Sequence, residues 1–182
     1  MKQFISMIVL ILLSFNALAD KQEDRQEILD MRTEVLTKLY QEEPSVKSKI
    51  KEAKGYAVFS NIGVNLIFLS SGGGYGVVHN NKTGKDTYMN MGSAGVGIGF
   101  GVKDFSAVFI FHTKDALTGF IEHGWDFSGQ ADAAAKSGKK GVEGSAAGTI
   151  VNGVSVYQMT ETGLALQATL QGTKYWVDSD LN

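Results

Sequence analysis

Between Asp20 and Glu43 apolar side chains return at Ile28, Met31, Val35 and Leu39, three or four residues apart, and Leu29, Leu36 and Tyr40 widen the stripe. That spacing predicts an amphipathic helix with one buried face. Asp and Glu crowd the opening turns of this segment, where a helix dipole favours negative charge. A second helix is predicted to restart at Pro44 and Ser45, since Pro suits a first helical position. Val46, Ile50 and Ala53 continue its buried face until Gly55 stops it, and its other face carries Lys47, Lys49, Lys51 and Lys54.

After Gly55 the period shortens. Apolar segments run over 56–59, 64–69, 75–79, 87–91, 95–102, 106–112, 125–131, 154–159, 164–170 and 174–177. Asn80-Asn81-Lys82-Thr83-Gly84, Lys103-Asp104 and Thr160-Glu161-Thr162-Gly163 separate them as hairpin turns would. All 22 glycines lie at or beyond position 55 and the one proline is Pro44, so helix comes first and turn-rich sheet afterwards. A further short helix is expected from the N-cap Thr113 to a stop at Gly124. The stretch 131–148 reads as a surface loop or a loosely packed pair of strands. These elements predict an α+β fold: N-terminal amphipathic helices packed on a Gly-rich, mostly antiparallel β-sheet or partly closed barrel, with one further short helix.

One strand stands apart. Gly95, Gly97, Gly99 and Gly101 alternate with Val96, Ile98, Phe100 and Val102, so one strand face offers bare backbone. Four in-phase glycines weaken a strand and need a compensating close contact. A helix laid on the sheet, a sharply curved barrel wall or a lipid chain would each supply it.

The first residues, MKQFISMIVLILLSFNALAD, combine a charged start, an apolar run too short to span a bilayer comfortably and the small residues Ala17 and Ala19. A signal peptide over 1–19, cleaved after Ala19, is expected, followed by a single domain over 20–182 with helices in 20–54 and the β-rich part in 55–182. The expected location is periplasmic or secreted. The 182 residues contain no cysteine, so neither a disulfide nor a thiol-linked lipid anchor is available, and the core must supply the stability.

A net charge of −2 argues against a polybasic nucleic-acid binder. Ser137-Gly138-Lys139-Lys140-Gly141 lacks the glycine spacing and Ser/Thr of a phosphate loop, and no glycine set matches the one-three-six spacing of a dinucleotide turn. His79, His112 and His123 have no ligand-like spacing, and no metal or cofactor is expected. His112 reads as a satisfied core or rim histidine. Asp126 and Asp132 alternate with apolar residues as the outward acids of a half-exposed strand do. No enzymatic role is expected.

Three runs carry a resemblance: Ala53-Lys54-Gly55-Tyr56-Ala57-Val58-Phe59, then Gly72-Gly73-Gly74-Tyr75-Gly76-Val77-Val78, then Gly95-Val96-Gly97-Ile98-Gly99-Phe100. It continues through Gly129-Gln130-Ala131-Asp132-Ala133-Ala134 and closes on residues 162–172, TGLALQATLQG. In order and spacing these resemble the SYLF domain, over essentially everything from about residue 25 onward. The resemblance implies a compact β-rich domain with N-terminal helices that associates with membrane lipids, phosphoinositides in eukaryotic members; the family also includes a yeast actin-binding member. This chain departs from the eukaryotic pattern in its acidic N-terminal segment, where residues 20–43 hold eight acidic and four basic residues.

The expectation is therefore a non-catalytic lipid-binding SYLF protein of the bacterial cell envelope, with phospholipids of open headgroup as partners and no nucleic acid. Lipid contacts are expected at Lys47, Lys49, Lys51 and Lys54 and along Gly95, Gly97 and Gly99, with Lys136, Lys139 and Lys140 as further headgroup contacts. The alternative is a structural or protein-interaction module serving another envelope protein. An outer-membrane barrel fits poorly with the long N-terminal helices, the strand 105–111 that is apolar on both faces, and the polar end at 178–182.

Overall fold

The computed structural model describes residues 2–61, 73–93, 105–126, 149–151, 153–160, 163–164 and 173–182, with 2–19, 93, 125–126 and 149–151 as backbone only. The glycine-alternating strand, residues 64–69 and the stretch 131–148 lie outside them.

Helix α1 (Lys2–Glu42) is continuous. It begins well before Asp20, because no Gly or Pro interrupts the sequence until Pro44. The acids at Asp20, Glu23 and Asp24 consequently lie in mid-helix, away from the positive end of the dipole. The helix stops just ahead of Pro44, whose ring disfavours helical backbone in the residue before it. Helix α2 (Val46–Glu52) is shorter than its sequence suggests, with Pro44 and Ser45 spent in the connecting turn. Helix α3 (Lys114–His123) matches its start and stop signals: Thr113 Oγ1 accepts the Ala116 N–H at 3.2 Å, and Gly124 leaves the helix at φ 67°.

Nine described strands form one antiparallel sheet. They are β1 (Gly55–Ser60), β2 (Gly73–Asn80), β3 (Asp86–Ser93), β4 (Phe105–Phe111), β5 (Trp125–Asp126), β6 (Thr149–Val151), β7 (Val154–Thr160), β8 (Gly163–Leu164) and β9 (Thr173–Val177). The order across the sheet is β5-β9-β3-β2-β1-β4-β7-β6, and β8 shares the outer edge of β7 with β6. Strand β6 is an addition to the sequence reading.

The sheet is buried on both sides, which explains a strand apolar on both faces. On one side Val58, Val108, Ile110, Tyr157 and Met159 meet Val35, Leu36 and Leu39 of α1, Val46 and Ile50 of α2, and Ala53 just after it. On the other, Ala57, Phe59, Phe109, Phe111 and Tyr175 meet Leu117 and Phe120 of α3. Burying each large side chain contributes about 1.5–3 kcal/mol, so β1 and β4, buried at all but one position each, anchor the fold. The aromatic centre is a set of tilted and edge-on contacts, with Phe59 and Tyr175 centroids 4.6 Å apart and Phe111 and Phe120 5.1 Å apart.

Glycine earns its place here through close approach. A Cβ on Gly76 would collide with the Phe59 ring and the Val58 carbonyl, and one on Gly92 would stand 2.9 Å from the Trp176 ring. The Tyr175 hydroxyl, by contrast, is buried with no hydrogen-bond partner among the described residues, and burial pushes its pKa far above the usual phenol range.

Candidate functional site

Register gathers several connections along one end of the sheet. Gly55 lies opposite both Asn80 and Phe111, and Phe111 lies opposite Val154. The exit of α2, the β2–β3 turn, the β4–α3 connection and the start of β7 are therefore neighbours. Backbone bonds fasten them: Lys54 N–H to Phe111 O at 2.9 Å, Asn81 N–H to Lys54 O at 3.1 Å, and His112 N–H to Gly153 O at 2.9 Å.

The β2–β3 turn is itself well built. Asn80 Oδ1 accepts the N–H groups of Lys82 at 3.0 Å and Thr83 at 3.1 Å, while Gly84 at φ 70° supplies the left-handed step. Its next residue reaches across to α2: the Asn81 side-chain amide donates to Ile50 O at 2.7 Å and to Ala53 O at 3.0 Å. Those carbonyls belong to the helix end, where intrahelical donors run out.

This arrangement brings together lysines that are far apart in sequence. Lys51 from α2, Lys54 from the α2–β1 connection, Lys82 and Lys85 from the turn, and Lys114 at the start of α3 are all exposed along the same end. None is in an ion pair with a described residue. Glu52 and Asp115 are the exposed acids among these segments, so the end is net positive on a chain that is net negative.

The lysines of the second helix do not act as one row. Lys47 and Lys51 are a turn apart on the helix and exposed. Lys49 instead lies on β7: its Nζ is 5.9 Å from the centroid of the Tyr157 ring and donates to the Tyr157 hydroxyl at 3.3 Å. Its stem packs while its charge reaches the rim. Gly95, Gly97 and Gly99, with Lys136, Lys139 and Lys140, lie outside the described residues. Lys82, Lys85 and Lys114 were missed by sequence reasoning because only the strand register makes them neighbours of α2; the Asn80–Gly84 turn signal was the available clue.

Beside this end, Asp86 is fully engaged. Arg32 of α1 donates to both its oxygens at 3.1 and 3.2 Å, and His79 Nδ1 is 2.6 Å from Oδ1. Tyr56 stacks near His79, with centroids 5.2 Å apart, and burial pushes its pKa up. His112, an expected rim histidine, is exposed and pairs through Nε2 with the buried Ser155 Oγ at 2.7 Å.

Comparison with known proteins fits this architecture to a family. Residues 92–182 match the sequence model of the family described as "Ysc84: Las17-binding protein actin regulator". The chain is also 38% identical over 160 residues to beta cell expansion factor A of Aeromonas veronii, an alignment covering 88% of this chain and 59% of that relative. The chain thus spans about three fifths of the length of that curated relative. The motif order, the helix-covered antiparallel sheet and these matches agree: the chain belongs to the SYLF (Ysc84) family.

Proposed function

We propose that this SYLF protein is a non-catalytic lipid-associating protein of the cell envelope, exported with removal of residues 1–19, that meets anionic phospholipid surfaces through the basic end of its sheet. The observation that carries this is the convergence of exposed Lys51, Lys54, Lys82, Lys85 and Lys114 on connections locked together by backbone bonds. Each ammonium near an anionic surface gains about 1 kcal/mol, so such a set gives useful affinity without a deep pocket. Lys47 and Lys49 extend the surface along α2. The rigid attachment of the β2–β3 turn to α2 keeps the charges at fixed spacing. In the same reading, Gly95, Gly97 and Gly99, which lie outside the described residues, are acyl-chain contacts. Co-sedimentation with neutral and anionic vesicles tests the proposal.

A second reading has its own observation. Trp176 and Val177 on β9 are exposed, and the matched family is described as a Las17-binding protein actin regulator. A protein-interaction module of the envelope would use that strand. It predicts no vesicle binding of any composition and loss of partner binding on Trp176→Ala.

A further inference from the structure

Next to the basic end, α1 crosses the start of β3 and leaves an open cleft of about 360 Å³ lined by Gln22, Arg25, Lys85, Asp86 and Tyr88 together with Leu181 and Asn182. That volume is at the small end of the roughly 300–1,000 Å³ of ligand clefts, suited to a headgroup or small anion rather than a lipid tail. Arg25 is held in place on two sides. Its Nε donates to the Leu181 carbonyl at 2.8 Å, and its guanidinium carbon sits 5.8 Å from the Tyr88 ring centroid. The two terminal nitrogens of the fork have no partner among the described residues. Lys85 lines the same cleft, exposed, with an ammonium likewise unpaired among them.

Asp86, the acid of the cleft, has both oxygens committed to Arg32 and one also to His79, so its charge is compensated from the far side. What remains is a positioned guanidinium fork and a lysine lining one cleft. Such a fork matches tetrahedral oxyanions bidentately, and a second cation favours a dianion over a monoanion.

We infer that the Arg25–Lys85 cleft is a binding site for a terminal (monoester) phosphate group, carried either by a lipid headgroup or by a free phosphate. This deepens the membrane reading and, for the lipid source alone, rests on it. The site was invisible in the sequence, where Arg25 and Lys85 are sixty residues apart.

The test is a heteronuclear NMR titration of the full chain with inorganic phosphate, short-chain soluble phosphatidic acid and short-chain phosphatidylcholine. Saturable shifts at the Arg25 side chain and the Lys85 and Tyr88 amides are expected with the first two, with dissociation constants on the order of millimolar or below, and not with the third. Lys85→Gln, a change at an exposed side chain, should weaken both by about tenfold with an unchanged spectrum elsewhere. Arg25→Gln should do at least as much. Tighter binding of phosphatidic acid than of phosphate identifies the lipid source, and equal binding identifies the free anion. Absence of saturable shifts with both phosphates, or undiminished binding in Lys85→Gln and Arg25→Gln, overturns the inference. Vesicle binding separates the two claims. A silent cleft in a protein that still binds anionic vesicles removes the cleft and leaves the membrane reading; saturable phosphate binding without vesicle binding does the reverse.

Discussion

Arg32 on α1 grips Asp86 on β3 through both carboxylate oxygens, at 3.1 and 3.2 Å, with each side chain only 20–24% exposed. His79 Nδ1 closes on the same carboxylate at 2.6 Å. This polar clamp supplements the apolar contact of α1 with the sheet. Asp86→Asn keeps the volume and removes the charge that both partners use. The expected cost is about 1.5–3 kcal/mol, the range for hydrogen bonds to charged groups. A urea denaturation midpoint shifted down with an unchanged slope would agree, and an unshifted midpoint would show that α1 is held by apolar packing alone.

The two hydrogen bonds from the Asn81 side chain to Ile50 O and Ala53 O join the β2–β3 turn to the end of α2. Asn81→Ala should destabilise the domain by about 1–2 kcal/mol, because the helix-end carbonyls lose their donor. It should also weaken binding to anionic vesicles although it changes no charge, since it loosens Lys51 from its fixed spacing to Lys82 and Lys85, while backbone bonds still hold Lys54. Destabilisation with vesicle binding intact would mean that the lysines act individually.

Tyr175 puts a hydroxyl without a partner among the described residues into the aromatic centre beside Phe59 and Phe109. Tyr175→Phe removes a desolvated polar atom and keeps the ring, so it should stabilise the fold by about 1 kcal/mol. A fall in thermal midpoint would show that the hydroxyl has a partner.

Alkaline stability follows from the same physics. Burial raises the phenol pKa of Tyr40, Tyr56, Tyr75, Tyr88 and Tyr175 above the ordinary value of 10.0. Above pH 10.0 the unfolded chain releases these protons while the folded chain retains them. The stability these groups provide is thus complete below that pH and is lost as pH rises toward their folded values. Denaturation midpoints should fall steeply above about pH 10, and less steeply in Tyr175→Phe. A midpoint independent of pH in that range would contradict the burial described for these rings.

Much of the fold could be read from residue order because its signals are local. The stripe Ile28, Val35, Leu36 and Leu39 does lie on the sheet, Thr113 does cap α3, and the Asn80–Gly84 turn does join β2 to β3. The length of α1 was less legible: acids at Asp20 and Glu23 look like a helix start, yet nothing before them breaks a helix. The short strand β6 gave too few residues for a periodicity. The basic end was half legible, because the second helix announces its lysines while Lys82, Lys85 and Lys114 join them through antiparallel register. Lys49 illustrates the opposite limit, since its contact with Tyr157 depends on a strand more than a hundred residues away.

The central claim is that the basic end meets an anionic membrane, and vesicle co-sedimentation of the protein bearing Lys51→Glu, Lys54→Glu, Lys82→Glu and Lys85→Glu tests it most directly. All four positions are exposed, so circular dichroism and the thermal midpoint should be unchanged. Native protein should sediment with vesicles containing phosphatidic acid or phosphatidylglycerol, less so as salt is raised, and not with pure phosphatidylcholine. At about 1 kcal/mol per lysine the quadruple variant should lose more than about a hundredfold in affinity. Equal sedimentation of native protein and folded variant, or native binding indifferent to vesicle charge, would contradict the account.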